Sequence, residues 1–329
     1  MTMSGFDYLR PASLPDALAA LDASGARAIG GGTDLVPRIE EGLDTPNTVV
    51  DVRHLPGARD IAVTPDGGLA LGAAVRIADL ARDPVVRERY PLLADAAGAV
   101  GSPALRTMGT IAGNLAQRPR CWYYRRGVSC LKTGGGASAA AGEHQYHGII
   151  ADGPCRTAHP SDPATALLAL DASLKIVSAS GGDAGAALAT RTVRLADAYA
   201  DAAIAATHEL ALGPDELITQ ITIPADATDG VQHWEKVTQR GAFDFALVSC
   251  AAVRRPDGSV RLVLGGVGAA PWRVPHSIEE DVASGGLDDE SIDALAARAL
   301  YDATPLPGTT YKVRIAEAVL RRAMRAIAP

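Results

Sequence analysis

Positive charge, aromatic rings and long apolar runs are all scarce in this 329-residue chain. Its 31 basic side chains face 38 acidic ones, a net charge of −7, which argues against a general nucleic-acid binder. Only four of the basic residues are lysines: Lys132, Lys175, Lys236 and Lys312. No apolar run reaches the roughly 18 residues that a membrane-spanning helix needs, so no membrane partner is expected. Met1 to Pro11 lacks the basic start and apolar stretch of a signal peptide, which points to a cytoplasmic protein. Four cysteines in so long a chain do not make a disulfide framework; a metal site or plain core thiols suit them better. With few Phe, Tyr and Trp, the core must be built from small and branched aliphatic residues.

Glycine and proline are plentiful, 34 and 21 residues, so turns should be frequent. Phe6–Leu9 reads as a strand, Ser13 caps a helix whose apolar face is Ala17, Leu18 and Leu21, and Arg27–Ile29 leads into three glycines. With a strand at Thr48–Val52, this is a small β-α-β-like unit. Pro65-Asp66-Gly67-Gly68 marks a hairpin between Ile61 and Ala74. Ile77–Val100 is helical, broken before Pro84 and Pro91. A helix is expected at Ala166–Leu170, and strands at Leu174–Val177 and Glu216–Ile223. The polar stretch Ala225–Gly230 marks a boundary. Beyond it come strands at Gln232–Thr238, Phe245–Val253 and Val260–Gly265, and then two amphipathic helices carrying Ile292, Leu295 and Ala299, and Val313, Leu320 and Met324. Strands followed by helices suggest an α+β second domain. Before the boundary, between the Ile77–Val100 and Ala166–Leu170 helices, residues 117–158 form a weakly periodic segment rich in Arg, Gly, Tyr, His and Cys; loops of that length are usually functional.

Three short stretches could carry chemistry. Gly30-Gly31-Gly32-Thr33-Asp34-Leu35 follows a strand, and its glycines permit close approach of a ligand to backbone amides. Taken alone it reads first as a tight turn with a capping Thr-Asp pair and second as a phosphate site, and it is not a Rossmann fingerprint, because Leu35 stands where the third glycine belongs. Gly109-Thr110-Ile111-Ala112-Gly113-Asn114-Leu115 offers two side-chain hydrogen-bonding groups among small residues. In His159-Pro160-Ser161-Asp162, Ser161 and Asp162 read as a helix cap, or Asp162 as a partner for a ribose or ribityl hydroxyl.

Together these stretches resemble the medium, FAD-binding subunit of the molybdenum hydroxylase family, which includes the flavin subunits of carbon monoxide dehydrogenase, xanthine dehydrogenase and periplasmic aldehyde oxidoreductase. GGGTDL is similar to that family's AGGTDL, and GTIAGNL to its TIGGNL. Glu235-Lys236 to Arg240, followed by Phe243-Asp244-Phe245-Ala246, resembles the signature that opens its C-terminal domain. Gly265–Arg273 and Tyr311-Lys312 match as well, so the resemblance spans nearly the whole chain in order. It implies a two-lobed FAD-binding domain of the PCMH/vanillyl-alcohol-oxidase-like type at residues 1–225, with lobes at about 1–58 and 59–225, then a smaller α+β domain at 226–329. It implies that Ile29, Gly30, Gly31, Gly32, Thr33, Asp34 and Leu35, with Thr110, Gly113 and Asn114, cradle the FAD pyrophosphate and ribityl chain. Asp162 would bond the cofactor's polar chain, Ile218 would pack near the flavin, and Lys236 would approach it. The implied partners are a large molybdopterin subunit and a small 2Fe–2S subunit, one of which can carry relatives to the periplasm. FAD would pass electrons from iron–sulfur clusters to NAD, oxygen or another carrier, without an acid–base dyad on this chain.

The 117–158 segment resembles an insert found in the branch of periplasmic aldehyde oxidoreductase and hydroxybenzoyl-CoA reductase, where four cysteines hold a [4Fe–4S] cluster. Cys121, Cys130 and Cys155 match three of them, and Ser138 stands in the place of the fourth. Serine is a harder, less acidic donor than the thiolates that normally hold cluster iron. Three outcomes stay open: a cluster completed by Ser138, His144, His147, His159 or an external ligand; a three-iron cluster or zinc; or an insert without metal. Cys250, in an apolar strand, reads as core, and Arg125 and Arg126 as solvated. The competing function is a stand-alone FAD-dependent oxidase or dehydrogenase acting directly on a small organic substrate.

Overall fold

The computed structural model describes residues 5–136, 139–151, 153–179, 188–199 and 207–328. Strands β1 (Asp7–Leu9), β2 (Ala26–Ile29) and β3 (Thr48–Asp51) form a parallel sheet in the order β1-β3-β2. Helix Leu14–Leu21 crosses it, capped by the Ser13 hydroxyl and buried through Ala17, Leu18 and Leu21. This is the expected β-α-β unit.

A second, antiparallel sheet runs β4-β5-β8-β6-β7, with β4 (Ile61–Val63), β5 (Leu69–Gly72), β6 (Ser173–Ala179), β7 (Leu188–Arg194) and β8 (Leu217–Ile223). The hairpin β4–β5 turns at Pro65–Gly68, as its turn residues require. Residues 77–98 form three helices, Ile77–Leu80, Pro84–Arg89 and Pro91–Gly98, because each proline lacks the amide that would continue the helix before it. Asp83 accepts from Val85 and Val86 amides and restarts the chain after the first break.

The third sheet runs β12-β11-β10-β9, all antiparallel: β9 (Val231–Val237), β10 (Val248–Arg254), β11 (Val260–Gly265) and β12 (Trp272–Arg273). Helix Asp162–Ala169, buried along its whole length, packs on β10 and β11 of the third sheet and shares one core with the second sheet. Strand β10 is therefore covered on both faces. Ala251 and Val253 join the core around that helix, while Val248, Cys250 and Ala252 join a second core under the C-terminal helices. That explains the unbroken apolar run and places Cys250 in the core, where burial pushes its thiol far up.

Several elements differ from the sequence reading. The third sheet's second strand starts at Val248 rather than Phe245, because residues 238–247 turn, with Phe243 at φ +56°. Three helices follow the sheet, not two: His276–Ala283, Asp289–Ala299 and Thr310–Ala326. Residues 103–115, to which the sequence reading gave no element, form two short helices, Pro103–Met108 and Ile111–Leu115, the second capped by Thr110. Among its described residues the 117–158 segment is mostly irregular, with one short α-helix at Trp122–Arg125 and single 3-10 turns at Leu131–Thr133 and Ala139–Ala141.

Candidate functional site

The first glycine stretch leaves the end of β2 and lies directly against the second. A methyl group on Gly31 would overlap the Met108 carbonyl, and one on Gly30 would overlap the Thr110 hydroxyl. Gly32 sits at φ +73°, in the left-handed region. Two bare backbone segments thus meet edge to edge and open into a cleft. On one side is a cavity of about 240 Å³, bounded by Gly30–Leu35, Ala73, Ala74, Thr110, Gly113 and Ile218. On the other is one of about 130 Å³, bounded by Asn114, Gln117, Asp162, Lys236, Phe243 and Phe245. The two share Thr33, Asp34, Thr110 and Gly113.

All but one of the residues implied by the resemblance border this cleft. Ile29 instead packs behind the loop, with Leu35, Ile39 and Val49. Ile218 and Lys236 lie at opposite ends, so they do not share one cavity. Asn114 Oδ1 accepts from the Ser161 hydroxyl at 2.5 Å, and Ser161 in turn caps the buried helix. Lys236 Nζ donates to Asp162 Oδ2 at 2.7 Å and to the Ala99 carbonyl at 3.0 Å. Burial pushes the Asp162 carboxyl up to about 6, against the pull of Lys236.

Asp34 has a different setting from the one expected. Its carboxylate accepts from the Arg118 amide (2.9 Å), Arg120 (2.6 Å) and Arg125 (2.6 Å), with Arg38 at 3.4 Å. Burial opposes the charge, yet Arg120 and its neighbours hold the carboxyl below the usual range. Arg125 is therefore not solvated: its side chain is 13% exposed, because Asp34 and the Pro119 and Arg118 carbonyls take up its donors. Arg126 is exposed as expected. Arg118 goes on to pair with buried Glu209, which also holds buried Lys132. Sequence reasoning missed this network; the only signal was three arginines at 118, 120 and 125.

A third, larger cavity of about 660 Å³ joins the cleft at Arg120, Pro160, Asp244 and Phe245, and is also walled by Trp122 and His159. His159 is buried and neutral, pushed down to about 3 by burial; its Nδ1 accepts from the Ser161 amide. Beyond that cavity, Cys121, Cys130, Cys155 and His147 border a space of about 20 Å³. Cys121 Sγ is 3.3 Å from His147 Nε2, and burial raises its thiol, with Cys155 and Cys130 adding to the shift. Among the described residues no three His, Cys, Asp or Glu side chains group tightly enough to hold one metal ion. His144 is engaged by the Gly308 amide and the Gly142 carbonyl, and Ser138 lies outside the described residues.

Residues 4–226 match the family described as the FAD binding domain in molybdopterin dehydrogenase. The chain belongs to that family. It is 36% identical to the aldehyde oxidoreductase FAD-binding subunit PaoB of Escherichia coli K12, over 97% of this chain and 96% of that protein. It is 26% identical to the carbon monoxide dehydrogenase medium chain of Hydrogenophaga pseudoflava, over 98% and 96%. A solved carbon monoxide dehydrogenase from the same organism, lacking the Mo-pyranopterin moiety, has the same fold, with a TM-score of 0.75 and 23% identity over 99% of this chain and 98% of that one. The expected α+β, PCMH-type flavoprotein fold and FAD as cofactor are thus supported from the family, the relative and the fold together. No helix among the described residues is long and apolar enough to cross a membrane.

Proposed function

We propose that this chain is the FAD-carrying electron-transfer subunit of a molybdenum-dependent dehydrogenase or hydroxylase. One observation carries the reading: two glycine segments meet with no room for a side chain on Gly30 or Gly31, at the middle of a cleft that runs from Ile218 to Asp162 and Lys236. An elongated dinucleotide with a pyrophosphate at its centre fits that layout. Gly30–Leu35, through their backbone amides, with Thr110, Gly113 and Asn114, would hold the pyrophosphate, with Ile218 at one end of the cleft and Asp162 and Lys236 at the other. Bound FAD accepts electrons singly or in pairs, and so joins one-electron carriers to a two-electron acceptor. The chain's own residues bind and orient it; Lys236 keeps Asp162 charged near neutral pH, and the Asn114–Ser161 bond fixes the second loop to the buried helix.

Residues 1–225 would form the FAD unit and 226–329 the C-terminal domain. Similarity to PaoB and to a carbon monoxide dehydrogenase medium chain supports assembly with a large molybdopterin subunit and a small 2Fe–2S subunit. Cys121, Cys130 and Cys155, which border one space, support an iron–sulfur cluster there. Four unpaired cysteines fit a reducing compartment, and we place the protein in the cytoplasm.

The test is the absorption spectrum of anaerobically purified protein, before and after dithionite, with its co-purifying chains identified. Flavin bands over a broad iron–sulfur background, with two partner chains, are expected. Flavin alone without partners would move the function to a stand-alone flavoenzyme, and failure to take up added FAD would overturn the reading.

A further inference from the structure

Asp34 stands in the glycine loop and borders both cleft cavities, yet its carboxylate is taken up by the neighbouring segment. Both oxygens are taken: Oδ2 by the Arg118 amide, and Oδ1 by Arg120 and Arg125 at 2.6 Å each. Those arginines flank Cys121 in sequence. Arg125 ends the short helix that begins next to Cys121, and its guanidinium also ties the Pro119 and Arg118 carbonyls. Arg120 reaches the other way, with its guanidinium 5.5 Å from the centre of the Phe245 ring at the cleft mouth. A single carboxylate therefore fixes the segment that carries a pocket thiol to the loop that would hold the pyrophosphate. With the Asp34 and Arg125 side chains each 13% exposed, water is a poor substitute for either partner.

We infer that Asp34 is a positioning residue that couples the two sites: its carboxylate does not touch FAD, but through Arg120 and Arg125 it makes the state of the Cys121 segment and the affinity for FAD depend on each other. The inference rests on FAD occupying the cleft. Coupling of this kind is reciprocal, so FAD must quiet the thiol segment by the same factor that ordering the segment tightens FAD.

The experiment measures alkylation of Cys121 by iodoacetamide in the metal-stripped full chain, by peptide mass spectrometry, with and without saturating FAD. FAD affinity is followed by flavin fluorescence quenching, and the melting temperature is measured alongside. In the wild type, FAD is expected to slow Cys121 alkylation about tenfold, the scale of a typical coupling free energy. In R125Q and in D34N, compared at FAD concentrations that saturate each variant, the slowing should shrink to less than twofold. In R125K, which keeps the charge, part of it should return. Slowing that persists in full in saturated R125Q would mean that FAD simply covers the thiol, and would overturn the coupling. No FAD effect in a wild type that does bind FAD would overturn it as well. A wild type that binds no FAD would instead sink the proposed function. Should R125Q fail to fold, the milder R120Q variant reads the same coupling through the other guanidinium.

Discussion

Lys236 on β9 and Asp162 at the start of the buried helix form an ion pair of 2.7 Å, with side chains only 8% and 6% exposed. The pair bridges the third sheet to the buried helix, at one end of the cleft. A buried pair of this kind is weak evidence of net stabilisation, but removing one partner strands the other. K236M should therefore destabilise the chain by about 3 kcal/mol, and the double variant K236M/D162L should recover much of that loss. Urea unfolding of the singles and the double measures the coupling. Simple additivity of the single effects would show that the two side chains do not act as a pair.

Asp162 also gives the protein a pH signature. Its carboxyl is raised in the folded state from an ordinary 3.8 to about 6, so the folded chain holds this proton more tightly than the unfolded one. The sign follows from linkage: this group's contribution is fully present below pH 3.8 and is lost as pH rises through 6. Across that window it should lower wild-type stability by on the order of 2 kcal/mol relative to D162N. Unfolding free energies of both proteins at pH 4.5 and 7.5 test this. Parallel pH curves would mean that Asp162 is not perturbed.

Lys312 works in the opposite direction. It is fully buried on the C-terminal helix and donates to the His147 carbonyl at 3.0 Å and the Gly266 carbonyl at 2.6 Å. Burial pushes its ammonium down to about 7. The unfolded chain then binds more protons than the folded one between about 7 and 10.5, so stability from this group rises with pH over that range. K312M should remove the rise. It should also leave two carbonyls without a donor, at a cost of about 1–3 kcal/mol each. Stability of both proteins at pH 7 and pH 9 separates the effects: the pH-independent part of the loss belongs to the carbonyls, and an unchanged slope in K312M would remove Lys312 as its source.

Local chemistry made much of this fold legible. The Pro84 and Pro91 breaks, the Ser13 cap and the Pro65–Gly68 turn each follow from one or two residues acting on their own backbone. Strand β7 did not announce itself: Leu188–Arg194 is largely exposed, so it has no apolar face, and its place beside β6 comes from pairing across the sheet. Helix His276–Ala283 was hidden for a related reason. Only Ile278 and Val282 give it an apolar stripe, and Glu279 is buried to accept from the Leu262 amide and Arg273. At the site, the glycine loops were readable because close approach demands glycine itself. The partners of Asp34 were not, since three arginines 84 to 91 residues away in sequence reach it only after the insert has folded back.

The glycine loops carry the sharpest stability expectation. In G31A the new methyl would fall on the Met108 carbonyl, a backbone atom that cannot rotate away, so the two loops must part. In G30A it would fall on the Thr110 hydroxyl, which is the cap of helix Ile111–Leu115. Overpacking of this sort costs about 1–3 kcal/mol. A displaced backbone also moves the amides away from a pyrophosphate, so FAD affinity should fall at least about tenfold, the equivalent of 1.4 kcal/mol. G98A is the internal control: nothing lies within 4 Å of its methyl position, and it ends a helix where alanine is the better former, so it should be neutral or slightly stabilising. Melting temperature and FAD titration on the three variants decide the matter. If G31A binds FAD as tightly as G98A does, the contact between the two glycine segments is a packing feature and the cofactor's pyrophosphate lies elsewhere in the cleft.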